Sequence, residues 1–184
     1  MSAGEHLNAA MAAERDAYAE QLAGRPASAT YRAARDAYLA SHAETGPRSW
    51  GRLIGALKMA ILADDGVAEV AAQALADAEG VVGTAAEYAR ALAAVATGAA
   101  PDTTEMLAAG DAFARTGRAL QALAAGDAAD YRAALEEIIA DFEARDQHLS
   151  GVAVADTAMV LERLAEPRGM AVRPVSELLP PQAV

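Results

Sequence analysis

Residues 49–63 read SWGRLIGALKMAILA, and they place bulky apolar side chains at spacings of three, four and one. This spacing predicts an amphipathic α-helix, because residues three or four apart share one helical face. The proline at position 47 fits the first turn of a helix, so we expect the helix to follow it directly. We place its apolar face at the centre of the core, with the side chains of Trp50, Leu53, Ile54, Leu57, Ile61 and Leu62.

Glycines, prolines and acidic turn residues on either side of this stretch divide the chain into further helices. One helix is predicted from about Pro101 to Ala124, and another begins after Asp127, a candidate N-cap. No segment alternates apolar and polar residues in the way that a half-buried strand requires. The prediction is an all-α fold, a single domain over residues 1–184 built as an alanine-rich bundle of about seven to eight helices.

Alanine supplies much of the hydrophobic content, which reaches 54%, whereas aromatic residues make up only 4%. Alanine is the best helix former, and its small side chain lets helices approach one another closely. The same small side chain buries little apolar area, so the few large apolar residues must define the centre of the core. With 184 residues, the chain is long enough to bury a core without disulfides.

Charge and cysteine content narrow the classes of function. The net charge of −11 opposes binding to nucleic acid and permits attraction to a basic partner. The chain has no cysteine, which excludes disulfides and thiol nucleophiles and suits a reducing compartment. The most apolar segments fall short of the roughly 20 residues that a membrane span needs. We therefore expect a soluble cytoplasmic protein with no nucleic-acid or membrane partner.

The usual catalytic and metal-binding motifs are absent from the sequence. The three histidines, His6, His42 and His148, are too far apart to place two metal ligands on one helical face. Neither a nucleophile elbow nor a phosphate-binding loop is present. We therefore predict no catalytic residue, no metal and no cofactor.

Lys58 is the only lysine of the chain, and it lies within the central apolar helix. A buried lysine can form a Schiff base or act as a general base. The simpler expectation is that its aliphatic stem lies along the helix while its amine reaches water.

The predicted helix after Asp127 carries a cluster of carboxylates. Glu137 and Asp141 lie four residues apart, where like charges repel by a few tenths of a kcal/mol unless a basic group lies between them. A solvated helix face is the plain interpretation of such a cluster, and a surface for a basic partner is the functional one. The candidate partner-binding residues are Glu136, Glu137, Asp141 and Glu143.

A second candidate site surrounds the single tryptophan. Arg48 and Arg52 lie four apart on one helical face and flank Trp50. These three residues could form a pocket or hold an anion. The favoured alternative is that they stack and pair with acidic residues of the last helices, because the chain is strongly acidic.

Two short segments resemble each other, AERDAYAEQL at 13–22 and AARDAYLASH at 33–42. An offset of twenty residues is too short for the common helical-hairpin repeats, and no third copy follows in step. We interpret the similarity as coincidence and predict no internal repeat.

The chain ends in a segment that is poor in alanine. A predicted helix stops at Pro167–Gly169, and residues 166–184 are expected to run as an extended tail over the bundle. Such a tail would supply apolar volume that the small alanine side chains lack. The inserted residues would be Met170, Val172, Val175, Leu178 and Leu179.

The last forty or so residues also resemble a known protein family. The resemblance rests on Gly151, Ala155, Val160, Leu164-Ala165, Arg168-Gly169-Met170, Val172, Ser176 and Leu179-Pro180. A helix ending in Leu-Ala, an Arg-Gly step and a closing Ser-x-x-Leu-Pro are similar to the ending of the immunity protein forty-nine family. The resemblance implies an all-α protein of a bacterial polymorphic toxin system that binds and neutralises its toxin.

Three functions fit these observations. The first is a non-enzymatic binding protein, such as an immunity-type inhibitor of a basic toxin or similar protein partner. The second is a protein that binds a small molecule between helices, in a pocket lined by Trp50, Tyr88, Phe142 or Met159. The third is a self-associating scaffold, since alanine-rich helix faces favour a homodimer.

Overall fold

Nine α-helices and one 3₁₀ turn make up the computed structural model, which describes residues 1–181. No strand occurs in this range, so the predicted all-α class is confirmed. Residues 182–184 of the predicted tail lie outside the described residues. The elements are α1 (Ala3–Leu22), α2 (Ser28–Thr45), α3 (Trp50–Ala63), α4 (Val67–Asp77), α5 (Thr84–Ala96), α6 (Thr104–Ala108), α7 (Asp111–Ala125), α8 (Ala128–Glu143), α9 (Asp156–Ala165) and the 3₁₀ turn (Glu166–Arg168).

Helix α3 lies at the centre of the core, as its apolar pattern predicts, although Trp50, Ile54 and Leu62 are only half-buried. Leu53 and Leu57 are fully buried, and the helix contacts α2, α4, α5 and α9. Gly55 allows α2 to approach closely, because a Cβ atom at this position would lie 2.9 Å from the Tyr38 ring. This contact explains a glycine in mid-helix, where it costs roughly 0.5–1 kcal/mol relative to alanine.

Two helix boundaries differ from the prediction. Helix α3 begins at Trp50 rather than directly after Pro47, because residues 46–49 form a turn in which the Ser49 N–H donates to the Gly46 carbonyl at 3.2 Å. The helix predicted from Pro101 to Ala124 is divided into α6 and α7 at Ala109 and Gly110, where the backbone is extended. The extra break raises the count to nine helices over residues 1–181, against the predicted seven to eight. All of these helices are too short or too polar to cross a membrane.

The break before α7 lets α6 fold back against that helix. Met106 of α6 is fully buried. A Cβ atom at Gly117 of α7 would lie 3.3 Å from the Met106 Cβ, so the absence of a side chain at Gly117 permits the close contact. Burial of one large side chain thus outweighs the helical propensity of the alanines at the break.

The tail packs on the bundle along most of its length. Leu179 is buried, and the side chains of Met170, Val172 and Leu178 pack half-buried against the core. Val175 is 95% exposed, so its predicted insertion is wrong. Alternation along the extended chain turns this residue outward while its neighbours face the bundle.

Glu162 of α9 binds the tail backbone. Its carboxylate accepts hydrogen bonds from the backbone N–H groups of Val172 (3.1 Å) and Arg173 (2.6 Å), and from the hydroxyl of Tyr131 (2.7 Å). Further along the tail, the Leu178 carbonyl accepts a hydrogen bond from the backbone N–H of Ala155 at 3.0 Å. Polar contacts therefore hold the tail where the sequence predicts only apolar ones.

Candidate functional site

A largely buried ion pair joins the central helix to the start of α9. The Lys58 ammonium donates to Asp156 Oδ2 at 2.7 Å and lies 3.3 Å from the Thr157 hydroxyl oxygen. The Lys58 side chain is only 13% exposed. The expectation that its amine reaches water is therefore wrong. Asp156 lies 98 residues further along the chain, so no local pattern reveals this partner.

The pair fixes Lys58 in its charged form. Burial acts to lower the pKa of the Lys58 amine, but the charge and hydrogen bond of Asp156, together with smaller contributions from Tyr88 and Glu14, outweigh burial and raise the pKa above its ordinary value. A protonated amine has no lone pair for attack on a carbonyl, so the geometry opposes a Schiff-base or general-base role near neutral pH. Lys58 instead serves as a fixed positive charge.

Removing one partner of this pair should destabilise the protein strongly. We expect Asp156→Ala to lower the free energy of unfolding by about 3–5 kcal/mol, because it leaves a buried ammonium without a counter-charge. The double variant Lys58→Met/Asp156→Ala should recover most of that loss. Urea denaturation measures both effects. Glu166→Ala, which breaks an exposed pair with Arg163, is the control and should cost at most about 0.5 kcal/mol. If the effects of Lys58→Met alone and Asp156→Ala alone simply added up in the double variant, the assignment would be contradicted.

Next to the ion pair, tyrosines from two helices bind one carboxylate. Glu14 of α1 accepts hydrogen bonds from the hydroxyls of Tyr18 (2.9 Å) and Tyr38 (2.5 Å), and the hydroxyl of Tyr31 donates to Gln21. Burial raises the pKa of all three tyrosines, and the charges of Glu14 and Asp156 raise each pKa further. The three hydroxyls are therefore protonated donors over the whole physiological range.

Two cavities flank the Lys58–Asp156 pair. We name them the α1 cavity, of about 270 Å³, and the α7 cavity, of about 260 Å³. Lys58, Phe142, Arg145, Leu149 and Asp156 line both. The α1 cavity is also lined by Leu7, Met11, Glu14, Tyr18, Tyr38, Gly51, Ile54, Gly55, His148, Ser150 and Val154. The α7 cavity is also lined by Tyr88, Ala112, Phe113, Arg115, Thr116, Ile138, Asp141 and Thr157.

The rims of both cavities are apolar. Leu149 is 98% exposed, Met11 45% and Phe113 38%, although each is a large hydrophobic side chain. Large exposed hydrophobic side chains gathered around a concave site are typical of binding surfaces. Tyr18, Tyr38 and Lys58 are more buried, so the α1 cavity combines an apolar entrance with a polar floor. Arg145 and Asp141, whose side chains are 33% and 32% exposed, are nearly as accessible as Phe113.

The four carboxylates predicted to face a partner lie along α8, and most of them bind groups of this chain. Glu137 pairs with Arg118, and Glu143 accepts from the Ser176 hydroxyl at 2.7 Å, which ties the tail to α8. Glu136 is exposed. Asp141 lies instead at the α7 cavity. The basic groups that relieve repulsion between these carboxylates come from α7 and from the chain after α8.

The predicted site around Trp50 does not form a cavity wall. Trp50 is half-buried against the core and lines none of the cavities described here, and Arg48 is exposed. Arg52 donates to the Ser41 hydroxyl at 2.7 Å. Within residues 1–181, neither arginine forms an ion pair with α8 or α9, so the favoured alternative of pairing with the last helices is wrong. Arg52 instead contacts Ser41 of the neighbouring α2.

Of the aromatic residues named for a pocket, Phe142 and Tyr88 do line one. Phe142 lies between the two cavities, and Tyr88 lines the α7 cavity. Met159 lines a different surface cavity, together with residues of the tail. His148 also reaches the α1 cavity, where its ring stacks on Phe142 with 6.3 Å between the centroids. Its Nδ1 atom is buried and has no hydrogen-bond partner among the described residues.

His42 forms a separate buried network that joins three helices. Its Nε2 lies 2.6 Å from Asp77 Oδ2 and its Nδ1 lies 2.7 Å from the Ser49 hydroxyl. The Ser49 oxygen also lies 2.9 Å from both the Thr45 hydroxyl and the Gly46 carbonyl. A serine held on three sides is poorly placed to attack a substrate. The network therefore ties the end of α2 to the start of α3 and the end of α4.

Sequence reasoning missed Glu14, Tyr18, Tyr38 and Asp156. One signal was present, because Tyr18 and Tyr38 occupy matching places in the two similar segments at 13–22 and 33–42. In the fold, α1 and α2 pack side by side and both tyrosines donate to Glu14. The two similar segments thus each contribute a tyrosine that donates a hydrogen bond to the Glu14 carboxylate.

The described residues contain no group of three potential ligands that could hold a metal ion. Comparisons with protein-family models, with curated proteins and with solved structures found no match to this chain. The assignment of function therefore rests on the geometry of the two cavities.

Proposed function

We propose that this protein is a non-enzymatic binding protein that holds a small organic molecule in the α1 cavity. The observation that carries the proposal is the buried polar floor of that cavity, formed by Glu14, Tyr18, Tyr38 and Lys58 beneath an apolar rim. Ligand sites in helical bundles commonly lie between facing helices and combine apolar walls with a few placed polar groups. At about 270 Å³, the cavity suits a ligand of two or three rings.

The walls indicate how a ligand would be held. The stacked rings of Phe142 and His148 present an aromatic surface on one side. The Tyr18 and Tyr38 hydroxyls are already committed to Glu14. Arg145 also lines the cavity and has N–H donors left for a ligand hydrogen bond. We therefore favour a flat, mostly apolar molecule with one or two polar groups.

Titration with the uncharged fluorophore 1-aminoanthracene tests the proposal. We expect one saturable site with a dissociation constant on the order of 10–100 µM, in keeping with a ligand of this size. Gly51→Phe should abolish binding, because Gly51 lines the α1 cavity and a side chain there meets no atom within 4 Å that would force the fold to shift.

Gly4→Phe provides the matched control. Gly4 is also an exposed helical glycine with room for a side chain, but it lies outside the cavity. Binding that is unsaturable, or that both substitutions reduce equally, would count against a site in the α1 cavity.

A second proposal is that the protein neutralises a basic protein toxin in the bacterial cytoplasm, as the tail resemblance implies. The net charge of −11 and the exposed Glu136 of α8 support it, and the absence of cysteine suits that compartment. It has less support than the cavity, because Glu137, Asp141 and Glu143 bind groups of this chain. Repeating the titration with a small basic protein separates the two. Saturable binding that salt abolishes and Gly51→Phe leaves unchanged would favour the toxin.

A further inference from the structure

The α7 cavity differs from the α1 cavity in its charge. Three cationic side chains, Lys58, Arg115 and Arg145, converge on it, against only the two carboxylates of Asp141 and Asp156. An excess of one positive charge thus collects in a chain whose net charge is −11. Lys58 and Arg115 are 13% and 17% exposed, so solvent screens their charges less than it would at the surface.

The two arginines are held in place and share one carboxylate. Arg115 donates to Asp141 Oδ1 at 2.6 Å, and Arg145 donates to Asp141 Oδ2 with its Nε at 3.2 Å. The Arg145 guanidinium also lies 3.8 Å from the centroid of the Phe142 ring. Each guanidinium has five N–H donors, so a single shared carboxylate leaves most of them open.

Aromatic and hydroxyl groups also line this cavity. The Tyr88 and Phe113 rings meet edge to face, with 6.2 Å between their centroids. The Thr157 hydroxyl lies beside the Lys58 amine. An acidic head group and an apolar body would therefore meet matching surfaces within one cavity.

We propose that the α7 cavity is an anion subsite that binds a small organic carboxylate, with its carboxylate on Arg115 and Arg145 and its apolar body against Tyr88 and Phe113. The planar fork of a guanidinium matches the two oxygens of a carboxylate. The bound anion would accept hydrogen bonds from some of the guanidinium N–H groups that donate to Asp141. Lys58 and Arg145 line both cavities, but Arg115, Tyr88 and Phe113 line only the α7 cavity, and Glu14, Tyr18 and Tyr38 only the α1 cavity. Either assignment can therefore hold without the other.

Calorimetric titration at neutral pH with 2-naphthoate and with its uncharged amide, 2-naphthamide, tests the subsite. We expect the carboxylate to bind about tenfold more tightly than the amide, since the two share a shape and differ in charge. Arg115→Gln should weaken binding of the carboxylate about tenfold and leave that of the amide unchanged. Arg118→Gln, one turn further along α7 and outside the cavity, is the matched control and should change neither.

Asp141→Asn should strengthen binding of the carboxylate, whereas Arg115→Gln should weaken it. This substitution removes the carboxylate that competes for both arginines, so naphthoate should bind several-fold more tightly to the variant than to the parent protein. An interaction of Asp141 that only supports the fold would give weaker binding or none.

The outcomes separate the two assignments. Equal affinity for acid and amide, or weaker binding to Asp141→Asn, would overturn the anion subsite even if 1-aminoanthracene fills the α1 cavity. The comparison of acid with amide uses the parent protein, so it decides the question even if a variant fails to fold. Gly51→Phe should leave naphthoate binding unchanged, and loss of binding in that variant would place the ligand in the α1 cavity instead.

Discussion

Raising the pH above about 10 is expected to unfold this protein steeply. Four of its five tyrosines, Tyr18, Tyr31, Tyr38 and Tyr131, have pKa values raised by burial, and the pKa of Lys58 is raised by Asp156. All five groups keep their protons in the folded state at a pH where the unfolded chain releases them. Their contribution to stability is therefore complete below the unfolded pKa values and is lost as the pH rises toward the folded ones.

The size of this effect follows from the number of groups. Each contributes about 1.4 kcal/mol per pH unit once the pH exceeds its unfolded pKa, so five together lower the free energy of unfolding by up to ~7 kcal/mol per unit. Urea denaturation at a series of pH values between about 8 and 12 measures the slope.

Tyr131→Phe provides the control for the alkaline transition. The variant lacks one of the five groups, so its slope should be smaller by about 1.4 kcal/mol per pH unit. Ultraviolet absorbance of the phenolate form should appear together with loss of helical circular dichroism. Gradual phenolate formation in a chain that stays helical would show that the tyrosines titrate in the folded state, contrary to their burial.

Removing the tail should produce the second large loss of stability. A chain that ends at Ala165 lacks the buried Leu179, the half-buried Met170, Val172 and Leu178, and the hydrogen bonds to Glu162. We expect the free energy of unfolding to fall by ~3–5 kcal/mol, after allowance for the entropy that the ordered tail gives up. For a chain of this length the melting temperature should fall by about 10 °C, which differential scanning calorimetry measures.

Two point substitutions test the same contact without shortening the chain. Leu179→Ala should cost about 2 kcal/mol, because the side chain is buried. Val175→Ala, only four residues earlier in the same tail, should be close to neutral, since Val175 is 95% exposed. Equal effects at the two positions, or a truncated chain as stable as the intact one, would mean that the tail does not support the bundle.

The sequence predicts the helices and the core well, because both depend on spacing along the chain. The stripe around Leu53 and Leu57 predicts a central helix, and Asp127 caps α8 by accepting from the backbone N–H groups of residues 129 and 130, as expected. The break at Gly110 is not predicted, although glycine is a poor helix former. In the fold the break accompanies burial of Met106 against α7. Local patterns therefore predict elements better than their ends.

The candidate site could not be predicted in the same way. Lys58 and Asp156 are 98 residues apart in the sequence and are brought together only by the tertiary fold. Neither residue is unusual in its local context. The acidic residues of α8 draw attention because they are close in sequence, yet the fold gives three of them partners within the chain. The role of a polar residue depends on the residues that contact it in the folded protein. Composition and periodicity therefore do not predict that role.

The hydrogen bond from Ala155 to the Leu178 carbonyl has a consequence for ligand affinity. Ala155 directly precedes Asp156, one of the five residues that line both cavities, so docking of the terminal segment and the position of this carboxylate are expected to be linked. A ligand that binds more tightly when the tail is docked on the bundle would also stabilise the docked tail. By linkage, the two gains in free energy are equal.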